Sequence, residues 1–226
     1  AAQVLELDVA DAASVQSAAE RVAEGGALYG LCNNAGVGFG RGFDETLATN
    51  LYGARTVCEA FLPLLRRHAL GGGGARVVNI ASASGPNFVS RCGRDDHRAA
   101  LARPDESTLD ELWKVAEAYA GLTDYDDAAY GLSKACLNAY TYHLAQAEAA
   151  AGVLVNSCTP GYILTDLTRG MGATNPPEKG TLAPCYLLMD DALATLPPGR
   201  FYGSDAQRSP LDVYRAPGSP PYEGPP

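Results

Sequence analysis

Positive charge is scarce in this chain: 17 Lys and Arg stand against 26 Asp and Glu, a formal net charge of −9. A protein that holds nucleic acid by its phosphates needs a basic surface to release counterions, so that class of partner is excluded. No apolar run approaches the roughly 18 residues of a membrane-spanning helix, and the N-terminus lacks the charged-then-apolar layout of a secretory signal. A soluble, cytoplasmic protein is expected. Six cysteines (Cys32, Cys58, Cys92, Cys136, Cys158 and Cys185) are scattered singly, with no C-x-x-C pair. That pattern suits reduced thiols packed as small hydrophobes and makes no zinc site. His68, His97 and His143 share no spacing that suits a metal, and none is expected.

What is present is ordinary globular material. Of the 226 residues 46% are hydrophobic and 19% charged, enough apolar surface for one buried core. Val4 to Val9 alternates as a strand, and Asp11 or Ser14 can cap a helix that runs to Glu24 before Gly25-Gly26. Leu28 to Cys32 reads as a strand. Phe43 to His68 carries apolar residues at helical spacing until the glycines at 71–74 break it. Arg76 to Ala81 is a compact buried strand, Ala128 to Ala151 a long helix, and Val153 to Ser157 another strand. Strands alternating with helices predict an α/β fold, a doubly wound parallel sheet with ligands at the strand carboxyl ends.

Two regions depart from that rhythm. The polar stretch from about 83 to 127 contains one predicted helix, Thr108 to Ala120, and reads as an insertion. Within it Trp113, Val115 and Ala116 suit core packing more than a substrate entrance, and Asp124, Asp126 and Asp127 suit a solvated helix start. Residues 206–226 are rich in Pro, Gly and Ser and predict an extended tail without regular elements, leaving residues 1–205 as the folded domain.

Tyr130-Gly-Leu-Ser-Lys134 sets a phenol and an ammonium four residues apart, on one face of the long helix. Bringing a tyrosine from its usual pKa of about 10 to near 7 takes about 4 kcal/mol. One charge about 4 Å away supplies that at an effective dielectric near 20. The pair is thus a candidate proton donor at neutral pH. With 12 tyrosines in the chain the spacing alone is weak. It gains weight from its companions: Asn33-Asn34-Ala35-Gly36 after a strand, Asn50 in the next helix, Ser82 closing the strand after that, and Pro160-Gly161 after the strand beyond the tyrosine.

In that order and setting, these residues resemble the short-chain dehydrogenase/reductase family. The resemblance spans the chain to about Asp205. It implies a Rossmann-like domain that reduces a ketone, aldehyde or quinone with hydride from NADP, with NAD as the other option. Tyr130 would be the general acid, Lys134 would lower its pKa and hold the nicotinamide ribose, and Ser82 would bond the substrate oxygen. Asn50 would hold a water that links Lys134 to solvent. Asp8 and Val9 match the adenine contacts, Asn34, Ala35 and Gly36 lie along the cofactor, Pro160 and Gly161 match the family's cofactor-binding turn after the sixth strand, and Ile163 and Thr165 match residues near the carboxamide. The 48 positions between Ser82 and Tyr130 exceed the family's usual dozen or so, which is similar to the carbonyl reductase branch and implies a monomer.

The family opens with a strand and a Thr-Gly-x-x-x-Gly-x-Gly turn that receives the pyrophosphate. Nothing before Asp8 matches it, and Gly36-Val-Gly38-Phe-Gly40-Arg-Gly42 follows the wrong element to substitute. The sequence therefore reads as a fragment whose Val4–Val9 strand has no neighbour, and poor folding is expected. The alternative is a non-catalytic dehydrogenase-like product or remnant unable to bind dinucleotide.

Overall fold

The computed structural model describes residues 2–122, 128–190 and 197–226. The acidic run Asp124, Asp126 and Asp127 lies outside the described residues. Among the described residues five strands form one sheet in consecutive order: β1 (Gly30–Asn33), β2 (Ala75–Ile80), β3 (Val153–Cys158), β4 (Phe201–Tyr202) and β5 (Arg208–Ser209). The first four are parallel and β5 is antiparallel.

The sheet is covered on both faces because alternate side chains point to opposite sides. Ala75 and Val77 join the larger core with α3 (Ala54–His68) and α7 (Ala128–Glu148), whereas Val78 and Ile80 join a second cluster with α8 (Leu182–Met189). β2 is buried at every position, Arg76 and Asn79 included, and Val77, Val78 and Ile80 supply its apolar contacts to the two faces. The doubly wound α/β architecture expected from the alternation is the one observed.

Val4–Val9 is not a strand. A strand needs a ladder partner, and none of the described strands pairs with this segment; its end becomes a helix lead-in instead. The Asp8 main-chain N–H donates to Ser14 Oγ at 2.9 Å, Asp8 Oδ1 accepts from Ala10 N, and Asp11 caps α1 (Ala12–Ala23) by accepting from Ala13 N. The long helix from Phe43 is also modified. α2 (Phe43–Leu47) passes through a π-helical turn, Ala48–Gly53, before continuing as α3. Beyond it the chain turns at Gly72 and Gly74, with φ of 89° and 62°, conformations that suit glycine.

The segment before Tyr130 holds more helix than expected. α4 (Ser84–Arg91), α5 (Asp95–Ala102) and a short 3-10 turn precede α6 (Leu109–Glu117), which a Thr108/Glu111 capping box begins. Gly85, Pro86 and a charged Asp-Asp-His-Arg start conceal α4 and α5 from a reading of periodicity. Trp113 packs between Tyr52 and Tyr140, at 5.9 and 5.8 Å between ring centroids, with Arg55 over its ring. The region after Tyr202 is likewise more structured than a plain tail. β5 returns along β4, and buried Arg215 pairs with Asp205 and donates to Ser219 O at 2.6 Å. All six cysteines are free thiols, four of them buried.

Candidate active site

The carboxyl ends of β1, β2 and β3 open onto one cavity of about 440 Å³. Its wall includes Asn34 and Gly36 after β1, Ser82 after β2, Tyr130 and Lys134 from α7, and Pro160, Gly161, Ile163 and Thr165 after β3. Nine of the residues singled out in the sequence therefore meet at one place, although they come from four separate segments.

Tyr130 is the hinge of the arrangement. It sits in the first turn of α7, shares a hydrogen bond with Ser82, and stacks obliquely against Phe39 with ring centroids 5.0 Å apart. Lys134, one turn on, is 4% exposed; its ammonium lies 5.7 Å from the centre of the Tyr130 ring and donates to Ile80 O at 2.8 Å. Three N–H donors on Nζ and one main-chain acceptor leave donors to spare inside the site.

The expected acidification of the phenol by its neighbour is not met. Burial pushes the Tyr130 pKa above its usual value, and the Ser82 hydrogen bond only partly opposes this. Burial also pushes Lys134 down, to about 8. Desolvation penalises the charged form of each group. Tyr130 thus carries its proton at neutral pH, the state a general acid needs before it acts.

Asn50 lies behind this pair, in the π-helical turn. Its Oδ1 accepts from Val37 N at 2.8 Å, and its Nδ2 donates to Val37 O at 2.9 Å and Ser133 Oγ at 3.0 Å. The amide therefore clamps the loop after β1 onto α7. Gly36 passes so close that a Cβ there would stand 3.3 Å from Asn50 Oδ1 and 3.5 Å from Lys134 Nζ. Gly36 thus lets the loop pack against Asn50 and Lys134 while bordering the same cavity.

Val9 and Ala35 line an adjoining apolar cavity of about 180 Å³, which Asn34 joins to the first. Gly53 makes room for Val9, since a Cβ would lie 2.9 Å from Val9 O. Asp8 lines neither cavity; its carboxylate is taken up by the turn into α1.

Several residues of the site were not singled out beforehand. Ile80 supplies the carbonyl that anchors Lys134. Asn79 extends Asn33 of the motif into an amide chain beneath the strand ends, with Asn33 Nδ2 donating to Asn79 Oδ1 at 2.8 Å and Asn79 Nδ2 donating to Thr141 Oγ1 at 2.8 Å. An asparagine inside an apolar strand is the signal that would have found Asn79. On the other side of Tyr130 lies a larger cavity of about 590 Å³, walled by Phe39, Phe88, Tyr119 and Gly131 with Arg91 at its rim.

Residues 1–92 match the family model described as short chain dehydrogenase. The chain is 32% identical to mouse (Mus musculus) "Carbonyl reductase [NADPH] 3" over 216 residues, which is 86% of this chain and 75% of that protein. It is 28% identical to "Carbonyl reductase [NADPH] 1" of Bos taurus, covering 87% of this chain and 75% of that one. Among solved structures it is similar to salutaridine reductase from Papaver somniferum, at a TM-score of 0.68 and 26% identity over 87% of this chain and 80% of that one. The NADPH-bound carbonyl reductase from chicken fatty liver superposes with a TM-score of 0.63 at 23% identity, over 92% of this chain and 77% of that one.

Proposed function

The chain belongs to the short-chain dehydrogenase/reductase family, in its carbonyl reductase-like branch, and on that premise we propose that it reduces a small ketone, aldehyde or quinone to the alcohol with NADPH. The observation that carries this reading is the convergence of Ser82, Tyr130 and Lys134 on one cavity bordered by Asn34, Gly36, Ile163 and Thr165.

The residues present fit the nicotinamide half of the cofactor. Gly36 keeps the wall free of side chain, Lys134 has unspent donors aimed at the space, and Pro160-Gly161 turns the chain so that Ile163 faces it. The apolar space at Val9 and Ala35 continues from there toward the adenine side. When bound, NADPH supplies the hydride. Asp8 lines neither space, and its part is to shape the turn into α1.

The chain's own residues do the rest. Ser82 and the Tyr130 hydroxyl together hold the carbonyl oxygen, which fixes the face of the substrate and prepares for the charge that develops on that oxygen. Tyr130 then passes its proton to it. Lys134 keeps a positive charge beside the phenol as the proton leaves, and its anchoring on Ile80 O fixes its direction. Asn50, through Val37 and Ser133, holds the loop and the helix at the spacing this requires. The cavity walled by Phe39, Phe88 and Tyr119 receives the rest of the substrate and favours flat, apolar carbonyl compounds.

The test is a titration of the purified protein with NADPH followed by nicotinamide absorbance with a panel of aromatic and aliphatic carbonyls. Saturable cofactor binding with carbonyl-dependent NADPH consumption supports the proposal; binding of neither cofactor nor carbonyl supports the non-catalytic alternative.

A further inference from the structure

Two guanidinium groups at the far edge of the sheet have no carboxylate partner among the described residues. Arg200 leads into β4, where its main-chain oxygen accepts from Ser157 N at 2.9 Å. Arg208 lies in β5 directly opposite Tyr202 in the antiparallel register. Side chains two apart on a strand share a face, and so do directly opposed residues. Arg200, Tyr202 and Arg208 therefore project to the same side of the hairpin. That side is covered by α8, whose Tyr186 stands edge-on to Tyr202 with ring centroids 6.3 Å apart. The four side chains line a cavity of about 190 Å³ together with Pro197 and Pro221.

Each arginine brings buried donors that lack an acceptor among the described residues: Nε and Nη1 of Arg200, and Nε of Arg208. Arg208 is held in place by other means. Its Nη2 donates to the main-chain oxygens of Gly224 and Pro225, and its guanidinium lies 5.2 Å over the Tyr222 ring. The groups also act on one another. Burial and the Arg200 charge both lower the Arg208 pKa, while both arginines pull down a Tyr202 phenol that burial and Tyr186 push up. Two adjoining cations with unmade buried hydrogen bonds are an unfavourable arrangement on their own. In a chain of net charge −9, acidic side chains to neutralise them are plentiful, yet no described one is placed there. A tetrahedral oxyanion in the cavity neutralises both charges together, and the guanidinium edges that line the cavity suit such an ion.

We propose that the cavity between Arg200, Arg208, Tyr186 and Tyr202 binds a phosphate group, as the free ion or on a small phosphate ester. The site is separate from the catalytic one: no residue lines both cavities. It stands independently of the proposed reduction.

The experiment titrates the whole protein with inorganic phosphate and, in a second arm, with phenyl phosphate, at ionic strength held constant with potassium chloride. Thermal unfolding and the arginine Nε–H resonances are followed. The expected result is a saturable rise in Tm that chloride does not reproduce, with the Arg200 and Arg208 signals shifting together. A tighter response to phenyl phosphate identifies an ester as the ligand, and a tighter response to phosphate the free ion. Arg200→Gln is expected to weaken binding roughly tenfold or more, and Arg200→Lys, which keeps the charge but not the fork, by an intermediate amount. Absence of saturable binding by both probes overturns the proposal, as does binding that Arg200→Gln leaves unchanged. Should Arg200→Gln fold poorly, the resonances of the unaltered protein decide: a titration that leaves the Arg200 signal in place overturns it.

Discussion

Tyr130 and Lys134 are both disfavoured in their charged forms by the burial that brings them together, and this sets the expected pH behaviour. Tyr130 stays protonated across neutral pH, so kcat/KM for reduction should not fall as a phenol of pKa 7 would require. Its alkaline limb is instead expected near the value of about 8 to which burial pushes Lys134. Lys134→Arg should move that limb upward, because a guanidinium does not deprotonate in this range. A pH–rate profile checks both, and a limb centred at or below neutrality would contradict the assignment. Stability carries the opposite sign. Below about 8 both the folded and unfolded chains keep the Lys134 proton, and the full burial penalty applies. Between about 8 and the ordinary value of 10.5 the unfolded chain binds more protons, so this group's contribution to stability rises with pH. The shift corresponds to about 3 kcal/mol. Lys134→Met escapes that cost but leaves Ile80 O unpaired, which returns about 1 kcal/mol. The variant should therefore be inactive yet about 2 kcal/mol more stable at pH 7, with the gap closing toward pH 10 in parallel denaturant melts.

Helix contacts fix these residues in space, and glycine sets the closest of them. A Cβ on Gly85 in α4 would lie 3.0 to 3.1 Å from the main-chain atoms of Lys134 and Ala135 in α7, and one on Gly131 would lie 3.0 Å from Phe88 Cβ. Backbone cannot give way as a flexible side chain can. Gly85→Ala should cost about 1–2 kcal/mol even after its gain in helix propensity, and should raise KM for the carbonyl as α4 is displaced from Tyr130. Urea melts and steady-state kinetics on the variant measure the two effects. This is also the scale at which the sequence is legible in some places and silent in others. α1, α7 and the central strands follow from apolar spacing and caps, and Ser82, Tyr130, Lys134 and the Pro160-Gly161 turn follow from motif order. α4 and α5 do not, because Gly85-Pro86 and a run of charges imitate a loop. The π-helical turn at Asn50 leaves no trace in residue spacing, since the extra backbone turn is held by the amide's contacts with Val37 and Ser133. The strand expected at Val4–Val9 failed for a non-local reason: alternation describes a face, but pairing requires a neighbour.

Across the whole molecule the sheet has two unlike edges. β4 and β5 close one in a hairpin that carries the arginine pair. At the other, β1 is paired on one side only among the described residues, and Cys32 is exposed there. Hydrogen exchange should accordingly find β1 amides exchanging faster than those of β2, which is flanked on both sides; equal protection would mean that another chain or segment covers that edge. The helices α4 to α6 pack against α7. All of these features serve one claim, that a single cavity presents a proton donor and an oxyanion partner to a carbonyl beside a reduced nicotinamide. Single-turnover NADPH oxidation by Tyr130→Phe, set against the unaltered protein with the same carbonyl, tests it most directly. The account expects the variant to bind NADPH with unchanged affinity and to react about 100-fold or more slowly. Oxidation at the same rate in both proteins would contradict it.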